Sequence, residues 1–196
     1  MKLPLFPLDT VLFPGCTLDL QIFEARYLDM VSRCMKAGHG FGVVRIVEGS
    51  EVGPAASAFA DIGCEAVIRD WQQQPNGLLG IRVEGARRFE VQSCEVLRDQ
   101  LIEASVNWCA EAPELPLDET HDDLLMLLEA LARHPMVEVL GMSATVDGQG
   151  ALAHQLAYLL PFSAPEKIAL LRLADPAEQL QVIQALLEQM QNEAGS

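Results

Sequence analysis

The sequence is poor in basic residues, in paired cysteines and in every common catalytic signature. Lysine and arginine number 13 against 28 aspartates and glutamates, a net charge of −15. A chain so charged repels a phosphate backbone and an anionic membrane surface, which argues against general nucleic-acid or membrane-surface binding. No apolar run reaches the roughly 18 residues that cross a bilayer. The N-terminus lacks an apolar stretch with a small-residue cleavage site, because Pro4, Pro7 and Asp9 interrupt it. The expected location is therefore the cytoplasm. Five cysteines (Cys16, Cys34, Cys64, Cys94 and Cys109) stand singly, with no C-x-x-C pair. In a reducing compartment an odd set of isolated thiols is expected to be free and buried rather than bridged or metal-bound.

Catalytic constellations are equally scarce. There is no G-x-x-x-x-G-K-[ST] phosphate loop and no G-x-S-x-G elbow. The three lysines (Lys2, Lys36 and Lys167) lie in no Ser-Lys pattern. His121–Asp123 reads as an acidic helix start complementing the helix dipole rather than as a metal cluster. His134, before Pro135, is expected to end the same helix. Cys16 beside Gly15 has no visible base and reads as loop packing. The expectation is a protein that is not an enzyme and takes no metal or cofactor.

What is present falls into two halves. Half the residues are hydrophobic, enough for a folded core. Residues 1–112 carry short apolar runs broken by glycine, such as "FGVVRIVEG", "CEAVIRDW", "LLGIRVEG" and "RRFEVQSCEVL". Their alternation predicts β-strands with one buried face. Asn76-Gly77 predicts a hairpin between strands near 64–71 and 78–84, and Gly85 suggests a second reversal. One helix is expected at about 24–37, on the spacing of Ala25, Leu28, Val31 and Met35, with Gly38 as its C-cap. Pro4 and Pro7 suit an edge strand or its entry. Phe13-Pro14-Gly15 reads as a strand end and tight turn. Leu18, Leu20 and Ile22 alternate with Asp19 and Gln21 as a second strand.

A Pro-rich junction at 113–117 precedes a helical region at 118–196. Leu124, Leu127, Leu128 and Leu131 share one face there, as do Leu152, Leu156, Leu159 and Leu160. Ser163 with Glu166 forms a capping-box pattern, and Asp175-Pro176 with Glu178 a capped start. The last helix is expected to turn Leu180, Ile183, Leu187 and Met190 inward, with "QNEAGS" fraying. The first half carries 10 bases and 15 acids, the second 3 and 13.

The segments "LPLFPLDTVLFPGCTLDLQIFEARYLDMVSRC", "FGVVRI", "DIGCEAVI", "GARRFEV" and "LAYLLPFSAPEKIALLRLADPAEQLQVIQALL" resemble the N-terminal substrate-binding domain of the Lon ATP-dependent protease family. The likeness runs from Leu3 to about Leu187. Departures are Asp19 and Ala25, where the family commonly has proline, and Cys64, where it often has threonine. The resemblance implies an α+β fold: a PUA-like β-barrel (pseudobarrel) followed by a C-terminal helical bundle. It also implies recognition of unfolded or extended polypeptide, beside a protease or chaperone, without the ATPase and peptidase modules of the full-length family.

On this reading the candidate polypeptide-binding residues are Phe6, Phe13, Pro14, Phe23, Glu24, Arg26, Tyr27, Arg88 and Phe89. Each has a structural alternative. Phe6, Phe13 and Phe89 suit the core of a small barrel, and Glu24 and Arg26 suit a helix start with an internal salt bridge. Phe23 and Tyr27, four apart, are expected to meet. Arg87 and Arg88 must face opposite ways, which leaves one able to pair with Glu24 and the other to face solvent or a ligand. Binding is expected through β-augmentation at an open barrel edge or in an apolar groove between barrel and helices. Two competing functions remain. One is a small-molecule enzyme using His39 or His154 with an acid. The other is an RNA-binding module using Arg69, Arg82, Arg87, Arg88 and Arg98.

Overall fold

Strand β1 (Lys2–Leu8) carries both N-terminal prolines yet has a partner on each side. In the computed structural model, which describes residues 1–194, β1 pairs antiparallel with β6 (Ile102–Trp108) over residues 2–5. It pairs parallel with β3 (Phe41–Glu48) over residues 5–8. Pro4 and Pro7 thus each lie in a half of β1 that has a single neighbour. A residue without an N–H is tolerated there for the same reason as at an edge.

The remaining strands are β2 (Thr17–Ile22), β4 (Ala58–Gln73) and β5 (Leu79–Val96). The six-stranded sheet runs β2-β5-β4-β3-β1-β6, and β5 also pairs with β6. Hydrogen bonding therefore passes around β5, β4, β3, β1 and β6 and back to β5, with β2 added outside. The β4–β5 hairpin turns at Asn76-Gly77, where Gly77 takes φ 82° and Gln74 N donates to Leu78 O at 2.7 Å.

Gly85 makes no second reversal. Strand β5 runs straight through it, and the Phe13–Cys16 turn is laid against it instead. Gly15 N donates to Gly85 O at 2.8 Å, and Gly85 N donates to Cys16 O at 2.9 Å. A Cβ at Gly85 would lie 2.1 Å from the Phe13 carbonyl oxygen. The glycine permits close approach of two backbones, and that need is invisible in a local reading.

Inside this unit Leu3, Leu5, Val44, Phe89, Ile102, Ala104 and Val106 form one buried cluster. The Phe89 ring occupies the space that a Cβ at either Gly42 or Gly63 would take, at 2.6 Å in each case. Helix α1 (Ala25–Ala37) ends on Gly38 in the left-handed region at φ 69°. Its buried face is Arg26, Tyr27, Met30, Val31 and Cys34. Of the four residues whose spacing predicted this helix, Val31 is buried, while Ala25, Leu28 and Met35 are exposed. Burial pushes the Cys34 thiol up to about 11, so it stays protonated. Cys16, Cys34 and Cys64 are buried as expected, whereas Cys94 is exposed on β5.

The chain divides at Cys109, with Met1–Cys109 as one unit and Ala110–Ser196 as the other. The second unit is helical: α2 (Asp122–Ala132), α3 (Pro135–Glu138), α4 (Gln149–Leu159), α5 (Ala164–Arg172) and α6 (Pro176–Ala194). Helix α4 touches α2, α5 and α6. Leu124, Leu128, Leu152, Leu156, Leu170, Leu171, Leu180 and Ile183 are buried, but Met190 is exposed rather than inward. His121 serves the capping box of a 3-10 turn (Glu119–His121) whose N-cap is Asp118. His134 follows the end of α2 and its backbone N–H donates to Leu131 O at 3.0 Å, as expected of a helix end, but its side chain serves the next helix. Its ring accepts from Met136 N at 3.3 Å and so starts α3. The start of α4 is capped from a distance, with the Glu114 carboxylate accepting from Gly150 N at 2.6 Å and Ala151 N at 3.2 Å. Of the tail expected to fray, residues 191–194 continue α6 and Gly195 and Ser196 lie outside the described residues.

Ser163 and Glu166 close the expected capping box at α5. Hydrogen bonds from the Ser163 hydroxyl and backbone N–H hold the Glu166 carboxyl below its ordinary value. A depressed carboxyl contributes stability above its unfolded pKa and loses it as pH falls through the folded one. Glu166→Gln is therefore expected to lower the thermal midpoint at neutral pH and to leave it unchanged near pH 2, where both forms are uncharged. Melting curves at the two pH values check this.

Candidate functional site

Phe6 of β1, Tyr27 of α1 and Phe41 of β3 make an aromatic cluster. Phe6 stacks on Tyr27 with ring centroids 3.9 Å apart, and it sits 5.9 Å from Phe41. Above the Phe6–Tyr27 pair opens a cleft of about 150 Å³. Leu8, Leu20 and Ile22 line its apolar wall, while Asp19, Glu24 and Glu51 supply carboxylates. Two large apolar side chains stand at its mouth without cover, Phe23 at 51% exposure and Val52 at 53%. The stacked Tyr27 ring is buried, and desolvation pushes its hydroxyl up to about 12. It is a neutral wall at any ordinary pH.

Arg26, two residues after the lining residue Glu24, is buried and follows the structural alternative, an internal salt bridge, instead of facing a bound chain. Its guanidinium donates to Gly53 O at 2.6 Å and to Gln100 O at 2.9 Å, and pairs with Glu24 at 3.0 Å. It also lies 4.7 Å from the Tyr27 ring centroid. One side chain thus ties the start of α1, the loop after β3 and the β5–β6 turn. Gln100, the donor side's carbonyl partner, is a non-glycine at φ 68°. The loop carrying Glu51 and Val52 is pinned further by Asp9 N donating to the Glu51 carboxylate and by Ser57 N donating to Glu48 O.

The nine residues singled out from sequence divide accordingly. Phe6, Phe23, Glu24 and Tyr27 line the cleft. Arg26 lies beneath it as a clamp. Phe13, Arg88 and Phe89 are interior, with essentially no accessible surface, and Pro14 sits in the half-buried turn against β5. Neither arginine of the Arg87-Arg88 pair reaches Glu24, whose partner is Arg26. Arg87 pairs with Glu65 at 3.1 Å and lies 3.8 Å over the Trp108 ring. Phe23 points outward, and the ring that Tyr27 stacks on is Phe6. Glu51 and Val52 were missed because they come from a loop some 27 residues along the chain. The contacts that hold this loop include Arg26 to Gly53 O and Asp9 N to Glu51, both distant in sequence, besides the local Ser57 N to Glu48 O bond.

The arginines that would form an RNA-binding stripe are largely neutralised. Arg69 pairs with Glu84, Arg82 with Asp19 and Arg87 with Glu65, while Arg88 is buried. His39 is engaged with its neighbour's Gly40 carbonyl at 2.8 Å. Among the described residues no group of three or more His, Cys, Asp or Glu side chains is placed to hold a metal ion.

Comparison with known proteins places this geometry. The family model described as the ATP-dependent protease La (LON) substrate-binding domain matches residues 2–189. A crystal structure of a Lon N-terminal domain protein from Xanthomonas campestris is 34% identical, with a TM-score of 0.76 over 94% of this chain and 98% of that one. The N-terminal domain of a Mycobacterium avium complex Lon protease shares the fold at 19% identity, TM-score 0.61, over 93% of this chain and 96% of that one. A Lon protease of Azorhizobium caulinodans is 26% identical over 200 residues, covering 94% of this chain and 22% of the relative. One from Flavobacterium johnsoniae is 23% identical over 154 residues, covering 78% and 18%. The chain thus spans about a fifth of the length of these curated relatives.

Proposed function

We propose, from the premise that this chain belongs to the LON substrate-binding domain family, that it binds exposed apolar or extended segments of other proteins. The observation that carries this reading is the pair Phe23 and Val52, two large apolar side chains left open to solvent at the mouth of an aromatic-floored cleft. Exposed apolar side chains are common singly, and what supports a binding role here is that these two border the same cleft. The cleft is small, so it takes one or two side chains of a longer chain rather than a whole small molecule. Affinity for a single segment is expected around the micromolar range. In this reading the ring of strands is a PUA-like pseudobarrel and the helical unit a bundle. The protein acts in the cytoplasm as a non-catalytic adaptor for proteolysis or quality control, handing clients to a protease or chaperone.

The test is titration with a permanently unfolded carrier protein, read by fluorescence anisotropy. Saturable binding is expected, and Phe23→Ala should weaken it about tenfold, which corresponds to about 1.4 kcal/mol. The thermal midpoint should hold, since an exposed side chain contributes little to folding. Absence of saturable binding by a folded chain would remove the proposal.

A further inference from the structure

Strand β2 ends the strand order, and among the described residues its one strand partner is β5. In an antiparallel pair every second residue of such a strand turns its N–H and C=O away from the sheet, ready for another strand. Its side chains alternate, with Asp19 and Gln21 exposed and Leu18, Leu20 and Ile22 more covered. Leu20 and Ile22 belong to the cleft wall.

A row of charges crosses the sheet at the same place. Asp70 of β4 is opposite Arg82 of β5, and Arg82 is opposite Asp19 of β2. Arg82 donates to both carboxylate oxygens of Asp19, at 2.7 Å each. Acid, base and acid follow one another across three strands, and the row stops at the free edge on an acid. Directly opposite cross-strand positions favour opposite charge, so the position beyond Asp19 favours a cation. Glu51 at the cleft mouth adds a second carboxylate, whose hydrogen bond comes from a backbone N–H and not from a cation.

Resting on the reading of this cleft as a polypeptide site, we propose that β2 receives an extended segment as an added strand, with lysine or arginine opposite Asp19 and apolar residues on either side. Strand alternation puts those flanking residues opposite Leu18 and Leu20, on the face that leads into the cleft. The ligand class is an extended peptide of alternating apolar and basic residues. A second copy of this chain does not fit, because β2 contains no basic residue and would set acid against acid. The net charge of −15 opposes self-association as well.

The experiment uses the whole chain and labelled peptides of about eight residues, long enough to cover a short edge strand. One peptide alternates apolar residues with lysine. A second replaces each lysine with glutamate. A third is the lysine peptide N-methylated at alternate amides. The unfolded carrier protein is titrated in parallel. The lysine peptide is expected to bind at least about tenfold tighter than the glutamate peptide at low salt, with the gap closing as salt rises. N-methylation in the bonding register should abolish binding. Asp19→Asn should shrink the lysine preference to about threefold or less, and the peptide comparisons decide the matter even where that variant folds poorly.

Equal binding of the lysine and glutamate peptides, or undiminished binding of the lysine peptide when its alternate amides are N-methylated from either the first or the second residue, overturns the strand-addition proposal. If the unfolded carrier still binds in that case, the broader reading of the cleft survives. If a folded chain binds neither peptides nor carrier, both fall together.

Discussion

Replacing Gly85 with alanine is expected to prevent stable folding of the strand unit. The added Cβ would sit 2.1 Å from the Phe13 oxygen and 2.8 Å from its carbonyl carbon, both backbone atoms. A flexible side chain could turn aside; a backbone cannot. The turn is also bonded to β5 on both sides of the contact, through Gly15 N and Cys16 O. Relief of the clash requires both hydrogen bonds to break and uncovers Phe13, which has no exposed surface. The loss is expected on the order of 4 kcal/mol or more, beyond the common range for single substitutions. Gly77→Ala provides the contrast. Nothing lies within 4 Å of its added Cβ, and only its positive φ opposes the change. A loss of about 1 kcal/mol is expected there. Urea midpoints for the two variants make the comparison, and a Gly85→Ala protein as stable as Gly77→Ala would refute the close-approach account.

Arg26→Ala is the second large effect, and it links stability to the cleft. The substitution leaves the carbonyls of Gly53 and Gln100 without their donor and leaves Glu24 without its cation in a mostly buried place. Removing one partner of a buried pair costs about 3–5 kcal/mol, chiefly because the other charge stays unpaired. Arg26→Met keeps the aliphatic packing, and Glu24→Gln combined with it removes the stranded charge. The double variant is therefore expected to recover part of the loss. The loop bearing Glu51 and Val52 should exchange its amides faster in Arg26→Met than in the parent chain, because its anchor at Gly53 is gone. Polypeptide binding should weaken along with it. Unchanged exchange in residues 49–57 would show that the loop is held by its own turns alone.

Much of the local structure was legible because local rules govern it. Asn76-Gly77 turns as its sequence requires, Gly38 closes α1, and Ser163 with Glu166 opens α5, each within four residues of its cause. The candidate site was legible in part. Phe6, Phe23, Glu24 and Tyr27 were singled out and meet in one cleft. Phe13, Arg88 and Phe89 belong to the same family-like segments but serve the interior. Apolar type and motif membership do not distinguish a residue that faces inward from one that faces a ligand. Exposure is decided by the partner strand.

From its sequence alone this chain was bound to make strands first and helices after, to stay acidic, and to resemble one family of substrate-binding domains. These features depend on periodicity, composition and short motifs, which neighbours in sequence set among themselves. The tertiary structure decided that Gly85 receives a turn instead of making one and that Arg26 is a clamp. It also brought Glu51 and Val52 into one cleft with Phe6 and Tyr27, and put β2, with Asp19 paired to Arg82, at the end of the strand order. Each of those depends on which distant backbone or charge arrives, and no local pattern encodes that arrival.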